Sequence, residues 1–113
     1  KTLEESRGEV RRGIEVAEFA CGAPNLMMGD SLENIARDID CDTIRQPMGV
    51  SVAITPFNFP FMVPMWTLPV ALACGNTFVY KPSQFTPVTA VTLGEILTEA
   101  GLPKGAYNVL QVS

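Results

Sequence analysis

Residues 49–81 read GVSVAITPFNFPFMVPMWTLPVALACGNTFVYK, and no side chain from position 46 to position 80 carries a charge. The stretch opens on a short β-rich run, residues 49–55, that breaks at Pro56. Residues 61–74 form an apolar segment of helical length, begun after Pro60 and stopped by Gly75 and Asn76. Pro64 suits the first turn of such a helix, and Pro69 predicts a kink in it. Residues 77–80 make a second strand that ends at Lys81-Pro82. A charge-free stretch this long also has the length of a membrane span. Prolines at 47, 56, 60, 64 and 69 argue against that reading, because so broken a segment leaves its backbone unsatisfied in lipid. Parallel strands, apolar on both faces, and their crossover helix account for the stretch better.

Working outward, Thr86 and Pro87 make an N-cap and first-turn pair for a helix that runs to Ala100 and closes on Gly101. Residues 107–112 form a third strand. From Gly49 onward the order is β-α-β-α-β, with right-handed crossovers around a parallel sheet, so the fold class is α/β. Upstream, residues 3–21 predict an amphipathic helix with Leu3, Val10, Ile14, Ala17 and Cys21 on one stripe. Gly22-Ala23-Pro24 ends it, Met27 to Asp30 form a loop, and residues 35–46 alternate loosely as one or two exposed strands.

The chain has 113 residues, room for one domain or a piece of a larger one. Its composition is 47% hydrophobic with a mean hydropathy of +0.21, apolar for a free-standing domain of this size, so a piece of a larger domain is expected. A net charge of −4 and a pI near 4.6 exclude a nucleic-acid surface. Three cysteines without metal-ligand spacing, and no histidine, exclude histidine-based triads and histidine zinc sites within this segment. They also point to a reducing compartment.

Ligands of open α/β sheets bind beyond the carboxyl ends of the strands. Two segments leave such ends, Thr55-Pro56-Phe57-Asn58-Phe59-Pro60 and Lys81-Pro82-Ser83-Gln84-Phe85. They predict a common cleft holding Asn58 and Lys81, the polar anchors nearest the apolar run. No G-x-G-x-x-G follows the first strand, so phosphate cradling by that turn is unsupported and only a nucleotide-sized site follows from spacing. Plainer roles are a turn cap for Asn58 and a solvated charge for Lys81.

The same residues carry a family resemblance that spans nearly the whole chain. TPFNFP at 55–60, GNTFVYKPS at 75–83 and GLPKGAYNVL at 101–110 closely resemble the aldehyde dehydrogenase superfamily. Phe57-Asn58-Phe59, IRQPMGV at 44–50, LMMG at 26–29 and VPMW at 63–66 are similar to the methylmalonate-semialdehyde dehydrogenases within it. The resemblance implies a Rossmann-like sheet. Residues 1–48 would be a helical lead-in and bridging strands, and residues 49–113 the incomplete N-terminal part of the dinucleotide-binding domain. It implies oxidation of malonate or methylmalonate semialdehyde by NAD (NADP possible), through a cysteine thioester, with decarboxylation and transfer of the acyl group to coenzyme A. Asn58 would donate its amide to the oxyanion, a neutral donor that cannot ionise beside a thiolate. The backbone at Thr55 and Phe57 would line the cofactor, Lys81 would reach the adenosine ribose or a 2′-phosphate, and Ser83 would shape the loop beneath it. A homo-oligomer, dimer or tetramer, in the cytoplasm or a mitochondrial matrix is also implied, with neither nucleic acid nor membrane as partner.

Two departures bear on cofactor choice. Gln84 stands where that subfamily usually has Glu, and Phe85 where it has Arg. None of the cysteines matches the family nucleophile motif, and Cys74, before Gly75, reads as a packing residue. The resemblance places both the nucleophile and the general-base glutamate downstream of position 113, so this segment alone is expected to be inactive. The competing readings are a non-acylating aldehyde dehydrogenase and a non-catalytic nucleotide-binding segment.

Overall fold

Residues 1–112 are described by the computed structural model. In chain order they form α1 (Leu3–Ala20), α2 (Ala23–Leu26), β1 (Ser31–Ala36), β2 (Ile39–Asp42), β3 (Val50–Ile54), α3 (Met62–Met65), α4 (Leu68–Ala73), β4 (Thr77–Lys81), α5 (Pro87–Glu99) and β5 (Tyr107–Val109). The last three strands make a parallel sheet in the order β3-β4-β5, so the α/β reading holds. Its register pairs Val50 with Thr77, Ile54 with Lys81, Phe78 with Tyr107 and Tyr80 with Val109.

Register decides which side chains share a face. Phe78 and Tyr80, each 1% exposed, pack with Met65, Leu68, Ala90 and Leu93 from α3, α4 and α5. The opposite face carries Val50, Val52 and Ile54, 69%, 65% and 76% exposed. A parallel sheet ordinarily has both faces covered, and here only one is.

The apolar segment after Pro60 is two short helices rather than one kinked helix. The break falls at Trp66-Thr67, a turn before the expected kink. Pro69 lacks the N–H that would bond one turn back, and its ring clashes with the carbonyl there. Ending α3 early puts Pro69 in the first turn of α4, where no donor is needed. Gly75, at φ +82, and Asn76 stop α4 as expected. Asn76 then ties the helix to the sheet, donating to the Ala71 carbonyl at 3.1 Å and accepting from the Gly49 N–H at 2.9 Å.

Helix α1 starts on a capping box, Thr2 with Glu5. It packs against α3 and α4, but not through the predicted stripe. Leu3, Val10, Ile14 and Cys21 all face away from the body, and only Ala17 of that stripe is half-buried. The buried side is Glu9, Gly13 and Ala20. Gly13 permits the approach, since a Cβ there would lie 2.3 Å from Cε1 of Phe61.

Residues 35–46 were expected as exposed strand, and the structure gives an antiparallel hairpin that begins earlier, at Ser31. Every residue of β1 and β2 is exposed, and the two strands pack mainly on each other. The radius of gyration, 17.8 Å, exceeds the roughly 13 Å of a compact chain this long. No helix among the described residues is long and apolar enough to cross a membrane.

Candidate functional site

Because Ile54 and Lys81 are paired in the parallel register, the loops after β3 and β4 leave the sheet at the same edge. The Thr55 N–H extends the ladder by donating to the Lys81 carbonyl at 3.3 Å. Beyond it, the rings of Phe57 and Phe85 meet edge to face, 5.9 Å between centroids and 85° between planes. These contacts bring the two predicted loops together.

Tyr80 closes the base of the first loop. Its hydroxyl donates to the Pro60 carbonyl at 3.2 Å and lies 2.9 Å from Oγ1 of Thr55. Since the single phenolic proton goes to Pro60, the Thr55 hydroxyl is the donor to the Tyr80 oxygen. Burial pushes the Tyr80 pKa up, and the charge of Glu9 adds to this against the Thr55 bond. The Tyr80 hydroxyl therefore stays protonated as a donor. Thr55 is buried and uses both its N–H and its hydroxyl internally, so its backbone carbonyl is what it can present to a ligand.

Asn58, at the exposed crest, has no partner for its side-chain amide among the described residues. Its backbone carbonyl accepts from Nζ of Lys1 at 2.7 Å, and that ammonium stands 4.4 Å from the Phe59 ring centroid. Lys1 is ion-paired with Glu9, which is 6% exposed. Oε1 of Glu9 accepts from the backbone N–H groups of Phe61 at 2.7 Å and Met62 at 3.1 Å. Burial raises the Glu9 pKa, but the bonds from Lys1, Phe61 and Met62 outweigh it and hold the carboxyl below its ordinary value. Glu9 thus caps the first turn of α3.

In the second loop Lys81 is half-exposed on the sheet face shared with Ile54, and its ammonium has no partner among the described residues. Ser83 does order its loop, accepting from the Phe85 N–H at 3.3 Å. Gln84 is exposed beside it. Thr86 occupies the N-cap position of α5 but makes no side-chain cap, and its hydroxyl is buried without a partner. The Lys81 ammonium and the Gln84 amide are both groups that can hydrogen-bond a polar ligand.

The groove beside Phe59, about 570 Å³, is lined by Lys1, Glu5, Glu9, Arg12 and Met62 on the α1 side, whereas Lys81 stands on the uncovered sheet face. Sequence reading missed Glu9 and Tyr80. An acidic residue facing Gly13 across one helical turn was the available signal for Glu9. Tyr80, the one polar-tipped side chain on the covered face of β4, was the signal for the other. Cys21, Cys41 and Cys74 are free, the first two exposed and Cys74 half-buried.

Comparison with known proteins follows this geometry. The sequence model of the aldehyde dehydrogenase family matches residues 1–113. Malonate-semialdehyde dehydrogenase 1 of Geobacillus kaustophilus is 57% identical over 110 residues, 97% of this chain and 22% of that protein. A Sinorhizobium meliloti protein assigned as a methylmalonate-semialdehyde dehydrogenase, solved with NAD, superposes with a TM-score of 0.97 at 45% identity, covering 100% of this chain and 23% of that one. An Escherichia coli NADP-dependent enzyme superposes with a TM-score of 0.93 at 36% identity, again over 100% of this chain and 24% of the other.

Proposed function

The chain belongs to the aldehyde dehydrogenase family, and from that premise we propose that it forms the start of the nicotinamide-cofactor domain of a malonate- or methylmalonate-semialdehyde dehydrogenase that passes its acyl group to coenzyme A. The chain spans about a fifth of the length of the relatives it matches, 22% of the Geobacillus protein. The observation that carries the reading is the unpartnered Asn58 amide on a loop pinned at both ends, with Lys81 and Gln84 free on the adjoining loop.

In this mechanism Asn58 donates a side-chain N–H to the oxygen of the aldehyde as a nucleophile adds and negative charge develops there. Preorganisation makes the donor effective, because the Tyr80 hydroxyl ties both ends of the loop before substrate arrives. Lys81 and Gln84 would hold the adenosine ribose of the cofactor, and the Thr55 and Phe57 backbone would line its path toward the reacting centre. Bound nicotinamide supplies the electron acceptor for the oxidation.

The test is made in the full-length enzyme this reading implies, with malonate semialdehyde and NAD. NADH formation is expected to depend on coenzyme A and to yield an acyl thioester. Free acid formed at full rate without coenzyme A refutes the acylating reading in favour of a hydrolytic relative. Asn58→Ala is expected to lower kcat by about 10²–10³ with little change in KM. Retention of more than about a third of kcat reduces Asn58 to a turn residue.

A further inference from the structure

The two ends of the Asn58 loop are held by different chemistry. Tyr80, a neutral donor, fixes the start and end of residues 55–60 by accepting from Thr55 and donating to the Pro60 carbonyl. On the far side, an ion pair between exposed Lys1 and buried Glu9 reaches the crest itself. Lys1 donates to the Asn58 carbonyl at 2.7 Å while paired with Glu9, and Glu9 holds the next two free amides, Phe61 and Met62.

A buried carboxylate is costly to keep charged unless its acceptor sites are filled. Glu9 meets that condition with an ammonium and two backbone donors, all belonging to or gripping the segment that displays Asn58. Its directional bonds do what apolar packing does not, setting the position of one backbone carbonyl and thereby of the amide on the same residue.

From this geometry we infer that Glu9 is a positioning residue, acting through Lys1 and the start of α3 to hold Asn58 in register as a donor. The inference rests on the reading of Asn58 as oxyanion donor. Displacement of a reacting group by about 1 Å costs up to about 10²-fold in rate, so a loss of about tenfold is the expected scale for removing one of two clamps.

The experiment is a double-mutant cycle in the full-length enzyme with Glu9→Ala, Asn58→Ala and the pair. kcat is expressed per cofactor site counted by fluorescence titration with NAD. Glu9→Ala is expected to lower kcat about tenfold, with KM for aldehyde and NAD within about twofold, and to cause no further loss once Asn58 is alanine. Three results overturn the inference. Multiplying losses would show that Glu9 acts elsewhere while Asn58 keeps its role. An unchanged kcat per site with fewer sites would make Glu9 a support of the fold alone. An Asn58→Ala enzyme of full activity removes the premise, and with it the proposed role of that residue. Should Glu9→Ala not fold, Glu9→Gln and Lys1→Met serve in its place, each removing the ion pair but leaving packing nearly intact. Each is expected to lower kcat about threefold with KM unchanged, and no effect from either refutes the inference.

Discussion

Replacing Tyr80 by Phe removes one oxygen from one of the two most buried side chains of β4 and leaves the ring packing intact. That oxygen serves two partners, Thr55 Oγ1 at 2.9 Å and the Pro60 carbonyl at 3.2 Å. Thr55 is 8% exposed, so its hydroxyl is left without water or protein to bond, whereas half-buried Pro60 regains some solvent. A buried polar group deprived of its partner costs about 1–3 kcal/mol, and with one group fully affected and one partly, the expected loss is about 2 kcal/mol. That loss falls on opening of the loop, which is best read by hydrogen exchange in the full-length enzyme, because a large multi-element protein does not unfold in one step. The amides at the two ends of this loop donate to fixed partners, Thr55 to the Lys81 carbonyl, Phe61 and Met62 to Glu9, and Val63 to the Phe59 carbonyl. They are expected to exchange about 30-fold faster, the factor that corresponds to about 2 kcal/mol, while α5 is unaffected. Adding Thr55→Val replaces the second polar group by an apolar one of similar shape and is expected to return most of the protection. Exchange within about threefold of wild type in Tyr80→Phe, or a double variant worse than the single, refutes the clamp.

Gly13→Ala is expected to destabilise by about 1–3 kcal/mol in chemical denaturation, since its Cβ would meet Phe61 at 2.3 Å and Met65 at 3.1 Å. Gly8→Ala, with nothing within 4 Å, serves as the control and is expected to stabilise α1 by about 0.5–1 kcal/mol. Gln84→Glu is expected to worsen NADP binding about tenfold relative to NAD by restoring repulsion of a 2′-phosphate, while Lys81→Ala weakens both, read as Kd by fluorescence titration. An unchanged NADP-to-NAD ratio in Gln84→Glu shows that this side chain does not face the ribose. Burial raises the pKa of both Tyr80 and Tyr107 above the usual tyrosine value. Their contribution to stability is therefore complete below pH about 10 and is lost as pH rises through the raised values. Melting temperature is expected to fall above pH about 10, and to fall less steeply in Tyr80→Phe; equal slopes count against it.

The sheet was legible because its signals are local. Charge disappears at position 46, Gly75-Asn76 and Lys81-Pro82 punctuate the run, and Gly101, at φ +90, stops α5 where expected. The α1 stripe was misread for a physical reason: periodicity registers where apolar residues lie, not which face another element approaches. Close helix contact selected small Gly13 and Ala20, and Leu3, Val10 and Ile14 were left on the outside. Glu9 could not be read from its neighbours because the amides that stabilise its charge lie more than fifty positions away, at Phe61 and Met62. Thr86 has the right residue type for a cap, but its backbone, at φ −137 and ψ 52, does not bring its hydroxyl to a helix N–H. At the site, Asn58 and Lys81 are candidates that strand ends alone suggest, while the clamps around the Asn58 loop depend on tertiary contacts.

The order β3-β4-β5 has a kinetic consequence. Strands that are neighbours in the sheet are also neighbours in the sequence, each reached by a single helical crossover. Closing such connections costs little chain entropy, so this part of the molecule belongs to the fast-forming end of parallel architectures. During synthesis from the amino end, every new strand meets a partner that is already in place. What remains unresolved at that stage is the face bearing Val50, Val52 and Ile54, a sticky plane until something is laid over it. While bare, that plane is more prone to aggregation than the paired strand edges beside it.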